Sequence, residues 1–438
     1  MDNEILSDAI RRAKKLGADQ ADILASKSDS VSVSTRLAKL EKIVQSESID
    51  VKMRVSIGAK NAAVATNNLD DLRKDSFFEK AVFAAKNAPE ETAKIRPNAD
   101  ELCKNFPKMD ICDDSSVSVE ELISSALECE TTALQVDGIT NSEGAEAIHL
   151  RSRITLARND DFLASYEKTY NQICVITLAE KDGFLERSYD YSEAVYRSDL
   201  RSPEQVAKKA AEKTLKRLGA RKIPSCKAPV IFDREVSRQL LSGLLEAVNG
   251  AAVAKGVSFL KDKLSQKLFS GDLNVVDKYS IPRGLRSRPF DSEGLKCSDT
   301  IIIKNGVLNS FLLNTKYADL LKMKSTRNAR GFEGIAPNNA YVEGGKASFQ
   351  DIVKSIKTGL YVTEVLGNGL NLVTGNYSQG AVGFWIENGE ITHPVNEITI
   401  AGNFTEMLAH CRAASDLEIE RGINAPTLLV EQMTIGGK

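Results

Sequence analysis

The sequence predicts an α+β fold, with an N-terminal α/β region in which helices pack on mixed sheets and a C-terminal domain dominated by antiparallel strands and hairpins. Apolar residues recur at helical spacing in several segments, and strict alternation over residues 49–57 predicts a strand with one buried face. Asn305-Gly306 and Asn388-Gly389 each separate two apolar runs. Such pairs favour type I′ hairpin turns, because those turns need positive φ at two successive residues. Helical periods together with hairpin signals are typical of the α+β class.

The beginning of the chain reads as helix, strands and helix. Apolar residues over 5–16 keep helical spacing. The strand predicted at 49–57 is followed by a turn and a second strand over 62–66, and the helical period returns over 77–85. This order predicts an N-terminal α/β domain over residues 1–88.

The middle of the chain starts with a break in these patterns. Residues 89–117 contain three prolines and mixed charges, so we interpret them as a linker or an irregular crossing. Ser118 and Glu121 form a candidate capping box for a helix, and Ser202, followed by proline, begins another. Between these helices, four alternating segments predict an antiparallel meander within a central α+β region at 118–222. The segments are 148–156, 162–170, 173–178 and 184–196.

Residues 223–438 form the predicted β-rich C-terminal domain. A short strand over 228–232 precedes a helix that runs through Val248, and the two hairpins follow. The glycine cluster at 367–380 fails the dinucleotide-binding fingerprint, because Leu372 stands where a third glycine is required. We therefore interpret this cluster as a loop that links strands.

Composition excludes several classes of function. Lys+Arg is 58 against Asp+Glu at 60, a formal net charge of -2, which argues against direct nucleic-acid binding through a global basic field. No apolar run approaches the roughly 18 residues that span a bilayer, and the acidic N-terminus does not resemble a signal peptide. The seven cysteines are scattered without a C-x-x-C pair. A cytoplasmic protein with reduced thiols and no membrane contact is the expectation.

Histidine is scarce in this chain. His149, His393 and His410 are the three present, and their separations are too large for a local two-histidine metal clamp. Ser378 lies between glycines, but the serine nucleophile elbow needs glycine two residues earlier, where Asn376 stands. The residues alone therefore favour neither a histidine metal site nor a serine hydrolase.

Several segments within residues 228–438 resemble, in order, the PmbA/TldD family of gyrase modulators and metallopeptidase components. Within that family the chain is most similar to the PmbA (TldE) branch, and its first 220 residues fit more loosely. The segments that carry the resemblance are Val257-Ser258-Phe259-Leu260, Ser287–Gly294, Asn339–Gly345, Gly359–Glu364, Gly375–Glu390 and Ile398–Asn403.

The resemblance implies where a metal site would lie. In TldD-type relatives a helix carries His-Glu-x-x-x-His, and a later cysteine completes a zinc site. The matching stretch here is Leu245-Glu246-Ala247-Val248-Asn249-Gly250. Both histidine positions are replaced, by Leu245 and Gly250, so no metal and no cofactor is expected in this chain. Glu246 is the remnant of the motif and the one candidate catalytic residue.

These implications lead to a functional hypothesis. The chain is expected to be the PmbA/TldE-like subunit of a TldD/TldE-type complex that degrades or processes unfolded peptides, with zinc held by a TldD-like homologous partner. Asn368, Tyr377, Ser378 and Trp385 of the glycine-rich segment are the candidate contacts to substrate or partner.

Two alternatives stay open. One is a non-enzymatic protein that modulates DNA gyrase through protein contacts, and the other is weak hydrolysis by this chain alone, with Glu246 and a metal borrowed at a dimer interface. A homodimer competes with the heterodimer as the assembly.

Overall fold

A computed structural model describes residues 3–437 and confirms the α+β class. The N-terminal half is built on one six-stranded sheet with the order β3-β2-β1-β4-β5-β6, and its strand pairs are antiparallel. Its elements are α1 (Asn3–Lys15), β1 (Gln20–Arg36), β2 (Lys39–Ile57), β3 (Lys60–Thr66), α2 (Asp75–Asn87), α3 (Val119–Leu134), β4 (Asn141–Arg158), β5 (Leu163–Lys181), β6 (Phe184–Ala194) and α4 (Pro203–Lys216).

The C-terminal half contains the remaining elements. They are β7 (Cys226–Phe232), α5 (Arg234–Ala247), α6 (Gly250–Ala254), β8 (Val275–Lys278), β9 (Thr300–Lys304), β10 (Val307–Leu308), α7 (Thr315–Leu320), β11 (Ala329–Arg330), β12 (Gly334–Ile335), β13 (Asn339–Val342), α8 (Phe349–Lys354), β14 (Thr358–Leu366), β15 (Asn376–Glu387), β16 (Glu390–Asn403), α9 (Phe404–Ala409), β17 (Cys411–Ala413), β18 (Ile423–Asn424) and β19 (Leu428–Gly436).

Five of these C-terminal strands close into a barrel. The order β16-β15-β14-β7-β19 is completed by pairing between β19 and β16, and the β7–β14 pair is parallel. Alternation along β7 gives the two faces different partners, since Val230 and Phe232 join the main core while Ile231 packs in a second cluster with α8. A five-stranded sheet, β10-β9-β8-β13-β18, lies beside the barrel.

Several predicted elements are confirmed. The first helix, the capping boxes at Ser118 and Ser202, and both Asn-Gly hairpins are present, with φ of 50° at Asn305 and at Asn388. The meander is also present, but the strands predicted at 162–170 and 173–178 form the single strand β5. A polar interval does not end a strand whose backbone pairs on both sides, and β5 pairs with β4 and β6.

The segments predicted as the N-terminal and central regions share one sheet. Strand β1, which the sequence analysis did not predict, pairs with β2 on one side and with β4 on the other. Between α2 and α3 the chain is irregular, with a 3-10 turn at Ala99–Glu101, and contacts the C-terminal half through Cys103 N–H, which donates to the Gly294 carbonyl at 2.9 Å.

The two faces of this sheet have different roles. Odd-numbered residues of β4, including Ala145 and Ala157, pack under the helices. Even-numbered residues turn toward the C-terminal half, where Leu156 contacts Phe290 in a cluster of its own and Arg158 donates to the Glu293 carbonyl at 2.9 Å. The period of two along a strand therefore decides which residues reach the boundary between the halves.

Candidate functional site

The stretch 245–250, to which the resemblance assigns the metal motif, lies at the end of α5 and the start of α6. Asp233 caps α5, because its side chain accepts the Glu235 backbone N–H at 2.9 Å. The apolar stripe of the helix buries Leu244 and Leu245 in the core of the C-terminal half. Glu246 lies on the opposite face and is exposed to solvent. The leucine and the glutamate of the remnant therefore point to different environments.

Gly250 occupies a position with no room for a side chain. A Cβ atom built there would lie 2.9 Å from the Leu312 carbonyl oxygen and 3.3 Å from Tyr317 Cβ, with Leu313 Cδ2 nearer still. The Gly250 N–H donates to the same Leu312 carbonyl at 2.8 Å, which holds that oxygen in place. Space that a ligand side chain would need is filled by α7 and the segment before it.

The residues present do not fit a zinc ion at this position. Leucine and glycine supply no side-chain ligand, and no group of three or more His, Cys, Asp or Glu residues could hold a metal within residues 3–437. His149 hydrogen-bonds to Asn171 Oδ1 at 2.8 Å, and His393 lies beside the Thr392 hydroxyl. His410 is exposed near Glu431, far along the chain from α5. Neither Glu246 nor any histidine here is part of a ligand cluster.

The four candidate contact residues of the glycine-rich segment have different surroundings. Asn368 and Ser378 are exposed, on the loop after β14 and at the start of β15. Tyr377 is buried in the core, and its hydroxyl donates to Gln379 Oε1 at 2.6 Å, so its pKa is raised by burial. Trp385 is half-buried and packs against the same core. Their contact role stays a prediction, and the exposed pair is the part that a ligand could reach.

Three clefts lie elsewhere, between the two halves. One cavity of about 570 Å³ is bounded by α4 and β6 on one side and by α5, β14 and β16 on the other. Within it, the Tyr361 hydroxyl donates to Asp233 Oδ2 at 2.8 Å, and Arg217 pairs with Glu364 at 2.6 Å across the boundary. Burial and the Asp233 carboxylate both raise the Tyr361 pKa, so the phenol remains a hydrogen-bond donor.

A second cavity of about 720 Å³ continues from the first, because Arg238 and Gln239 line both. A third, of about 230 Å³, shares Glu193, Leu285 and Arg421 with the second. We call these three connected cavities the interlobe trough. The sequence analysis did not find it, because its walls come from segments hundreds of residues apart. Polar residues at even positions of β5, such as Lys168 and Tyr170, and at odd positions of β6, such as Tyr191 and Glu193, were the one available signal.

Comparison with known proteins gives a consistent result. Residues 112–218 match the family model described as the PmbA/TldA metallopeptidase central domain, and residues 225–437 match the one described as the C-terminal domain. "Metalloprotease PmbA" of Escherichia coli O157:H7 is 33% identical over 441 residues, which cover 99% of this chain and 97% of that protein. A PmbA homologue of Haemophilus influenzae is 31% identical over 99% of this chain and 96% of its own length.

Solved structures have the same fold. A Thermotoga maritima protein, described as a candidate modulator of a DNA gyrase, superimposes with a TM-score of 0.89 at 26% identity over 99% of both chains. TldE from Thermococcus kodakarensis gives 0.87 at 20% identity, over 99% of this chain and all of that one. None of the helices described in residues 3–437 is both long and apolar enough to cross a membrane. With two family domains and full-length relatives, this chain belongs to the PmbA/TldD metallopeptidase family.

Proposed function

We propose that this chain is the non-metal subunit of a cytosolic two-component metallopeptidase that processes unfolded peptides. The partner is a TldD-like homologous subunit that carries the zinc site. The observation that carries the proposal is the surroundings of Gly250: the backbone carbonyl of Leu312 occupies the space of a ligand side chain. Leu245, near the end of the preceding helix α5, is buried in the core, so neither position offers a side chain that could bind zinc as a histidine does.

The remnant Glu246 has no catalytic surroundings in this chain. A general base must lie within hydrogen-bond reach of the proton that it removes, next to the activated water. Glu246 faces solvent, so its carboxylate has no enclosed site in which to act. In this proposal Glu246 is a surface residue, and the reaction takes place in the partner.

The role of this chain is to bind and present the peptide. The interlobe trough includes connected cavities of about 570 and 720 Å³, and its walls carry both aromatic and charged side chains. An extended peptide can be held largely through its backbone, so many sequences can be accepted. Exposed Asn368 and Ser378 remain candidate contacts to the partner or to the peptide.

The test uses three samples: this chain alone, the TldD-like partner alone, and the two together. We expect zinc in the partner and in the pair, measured by mass spectrometry, and cleavage of an unstructured peptide only where the partner is present. Light scattering of the mixture distinguishes a heterodimer from a homodimer of this chain. Zinc together with cleavage in this chain alone would refute the proposal.

The variant Glu246→Gln separates the remaining alternatives. If Glu246 is a surface residue, the pair that contains Glu246→Gln cleaves the peptide at the wild-type rate. Loss of cleavage would instead place this carboxylate at a shared active site. A pair that contains zinc and cleaves no peptide would favour the gyrase-modulating alternative, which a supercoiling assay with purified gyrase then examines.

A further inference from the structure

The 720 Å³ cavity at the centre of the interlobe trough has an excess of positive charge. Its walls come from β5, β6, α5, the loop before β9, β11 and the segment that leads into β18. Glu193 is the carboxylate among the residues that line it. The cationic residues that line it are Lys168, Arg238, Arg286, Arg330 and Arg421.

Two of these cations have carboxylate partners. Arg238 donates to Glu235 Oε2 at 2.6 Å and to the Tyr191 hydroxyl at 2.8 Å. Arg421 lies 3.7 Å from Glu193 and stacks over the Tyr191 ring at 3.6 Å. The Tyr170 hydroxyl also donates to Glu193 at 2.9 Å. The charge of Glu193 is therefore partly offset within the wall, by Arg421 and by the Tyr170 hydroxyl.

The other three cations have no carboxylate partner among residues 3–437. Within the described part of the chain, the Lys168 ammonium donates one hydrogen bond, to the Leu285 carbonyl at 3.4 Å, and the guanidinium groups of Arg286 and Arg330 donate none. Lys168 and Arg286 are half-buried and Arg330 is exposed to the cavity, so all three can be reached by an anion from outside. A carboxylate that enters would form charge-assisted hydrogen bonds with them.

The three unpaired cations also lie close enough to repel one another. Burial, followed by the charges of Arg330 and Arg286, lowers the pKa of Lys168 to about 8. Burial and the neighbouring Arg288 lower the pKa of Arg330 to about 10, although its side chain is exposed to the cavity. The positively charged groups converge on one space rather than spreading over a surface.

Two further details concern how Arg421 and Arg286 are held in the wall of the cavity. Arg421 is 7% exposed, and its Nε has no hydrogen-bond partner although the residue lines the cavity. A Cβ atom at Gly422 would lie 2.6 Å from the Arg286 side chain, so glycine is what lets that arginine lie flat against the backbone. A buried guanidinium N–H without an acceptor is rare in folded proteins.

The shape of the site favours a chain over a compact anion. The basic cavity opens on one side to the 570 Å³ cavity through Arg238 and Gln239, and on the other to the 230 Å³ cavity. The larger neighbour is lined by Tyr189, Phe384 and Ile391 among others, which suit apolar side chains. A free phosphate would fill a small part of this length, whereas an extended peptide reaches both neighbours.

We propose that the basic cavity binds the carboxylates of an acidic peptide segment, held extended in the interlobe trough by Lys168, Arg286, Arg330 and Arg421. The proposal specifies the substrate class of the proposed function and rests on it for the peptide nature of the ligand. Arginine suits this role because its planar fork pairs with a carboxylate through two hydrogen bonds.

The test is peptide binding by the full chain, measured by fluorescence anisotropy without cleavage. The probes are two labelled Gly/Ser-rich peptides of about twelve residues, long enough at full extension for the trough, one with two central glutamates and one with glutamines there. We expect the glutamate peptide to bind about tenfold or more tightly, with an affinity that falls as salt rises.

The variant Arg330→Gln removes one cation that has no carboxylate partner among residues 3–437 and lines the cavity. It is expected to weaken binding of the glutamate peptide about tenfold and to leave the glutamine peptide unaffected. Arg36→Gln is the matched control, because Arg36 is exposed at the end of β1 and lines none of the three cavities. Lys168→Met, which keeps the apolar stem, is a second variant with the same expected loss.

Three results would overturn the inference. They are equal binding of the two peptides, equal losses in Arg330→Gln and Arg36→Gln, and binding of inorganic phosphate or pyrophosphate without binding of the glutamate peptide. Because the assay needs neither zinc nor cleavage, selective binding supports the site even if the pair proves not to be a peptidase. Conversely, cleavage by the pair without selective binding here leaves the proposed function standing and refutes this site.

Discussion

The substitution Gly250→Ala measures how completely the second ligand position of the family motif is filled. The new methyl group would lie 2.9 Å from the Leu312 carbonyl oxygen and closer to Leu313 Cδ2. The leucine methyl can move, but the carbonyl accepts from Gly250 N–H at 2.8 Å, and the Leu312 N–H donates to Val248 at 3.0 Å. The backbone of both segments must therefore separate to admit even one carbon.

The energy of this separation can be weighed against the helix propensity of alanine. Adding a methyl group to a packed site costs about 1–3 kcal/mol. Replacing glycine by alanine inside a helix returns up to about 1 kcal/mol, but Gly250 directly follows the cap residue Asn249, where the gain is smaller. We expect a net loss of about 1–2 kcal/mol. For a domain of this size that is a fall in Tm of roughly 2–8 °C.

The matched control is Gly243→Ala in the middle of α5. Its Cβ would meet Leu370 Cδ2 at 2.9 Å, the far end of a flexible side chain, and Phe404 Cζ at 3.8 Å. The helix propensity gain of about 1 kcal/mol offsets a small adjustment there, so stability should change by less than about 0.5 kcal/mol. The replacement of glycine by alanine is thus expected to destabilise the chain at position 250 but not at position 243.

Urea denaturation followed by tryptophan fluorescence is the assay, because the sequence contains one tryptophan, Trp385, and it lies in β15 of the barrel. The expected result is a lower midpoint for Gly250→Ala at an unchanged slope, and a wild-type midpoint for Gly243→Ala. If Gly250→Ala were as stable as the wild type, space for a ligand side chain would exist, and the reasoning about this position would be wrong.

Three further predictions concern the charges around the boundary. Burial, together with the charge of Asp291, raises the pKa of Glu293 to about 8. Between about pH 5 and pH 8 the folded chain therefore holds a proton that the unfolded chain has released. The free energy of unfolding should fall as the pH rises through this range. In urea titrations at several pH values, the variant Glu293→Gln should lose this pH dependence. A variant with the same pH dependence as the wild type would contradict the prediction. Removing the charge of Arg217, which pairs with Glu364 at 2.6 Å, should cost about 1–3 kcal/mol in Arg217→Gln. The control is Lys216→Gln, which removes the neighbouring exposed ion pair with Glu212 and should lower the stability by less than about 0.5 kcal/mol. Equal destabilisation of the two variants in a thermal melt would refute the importance of the Arg217–Glu364 pair. Finally, Lys168 has a pKa of about 8 and therefore loses its charge as the pH rises past that value. The affinity of the wild type for the glutamate peptide should then fall between pH 7 and 9. The affinity of Lys168→Met should stay level over the same range.

The sequence was informative wherever structure depends on neighbours along the chain. Ser118 and Ser202 accept the N–H groups of residues three positions later, and the Asn-Gly turns adopt positive φ, because these are local requirements of the backbone. That metal ligands are replaced at positions 245 and 250 could be proposed from sequence, because the flanking motifs resemble the family. That Gly250 excludes any side chain could not, since its neighbours Leu312 and Tyr317 come from more than sixty residues away.

Strand β1 shows why part of the fold escaped prediction. The first ten residues of β2 are largely exposed, and β1 is half-exposed along much of its length, so neither gives a clear alternation of apolar and polar residues. Their stability comes from backbone pairing with each other and from the pairing of β1 with β4, more than a hundred residues later in sequence. Backbone hydrogen bonds are common to all sequences, and their partners are therefore invisible in composition.

Taken by itself, the sequence determined the class of fold, many of the helix ends and the hairpins. Only the tertiary structure decided that Lys168, Arg286, Arg330 and Arg421 surround one cavity. In the sequence each is an ordinary charge on a strand or loop, in a chain whose net charge is -2. Electrostatic energy depends on distance in space and on burial rather than on separation along the chain, so a basic site can lie within a chain of balanced charge.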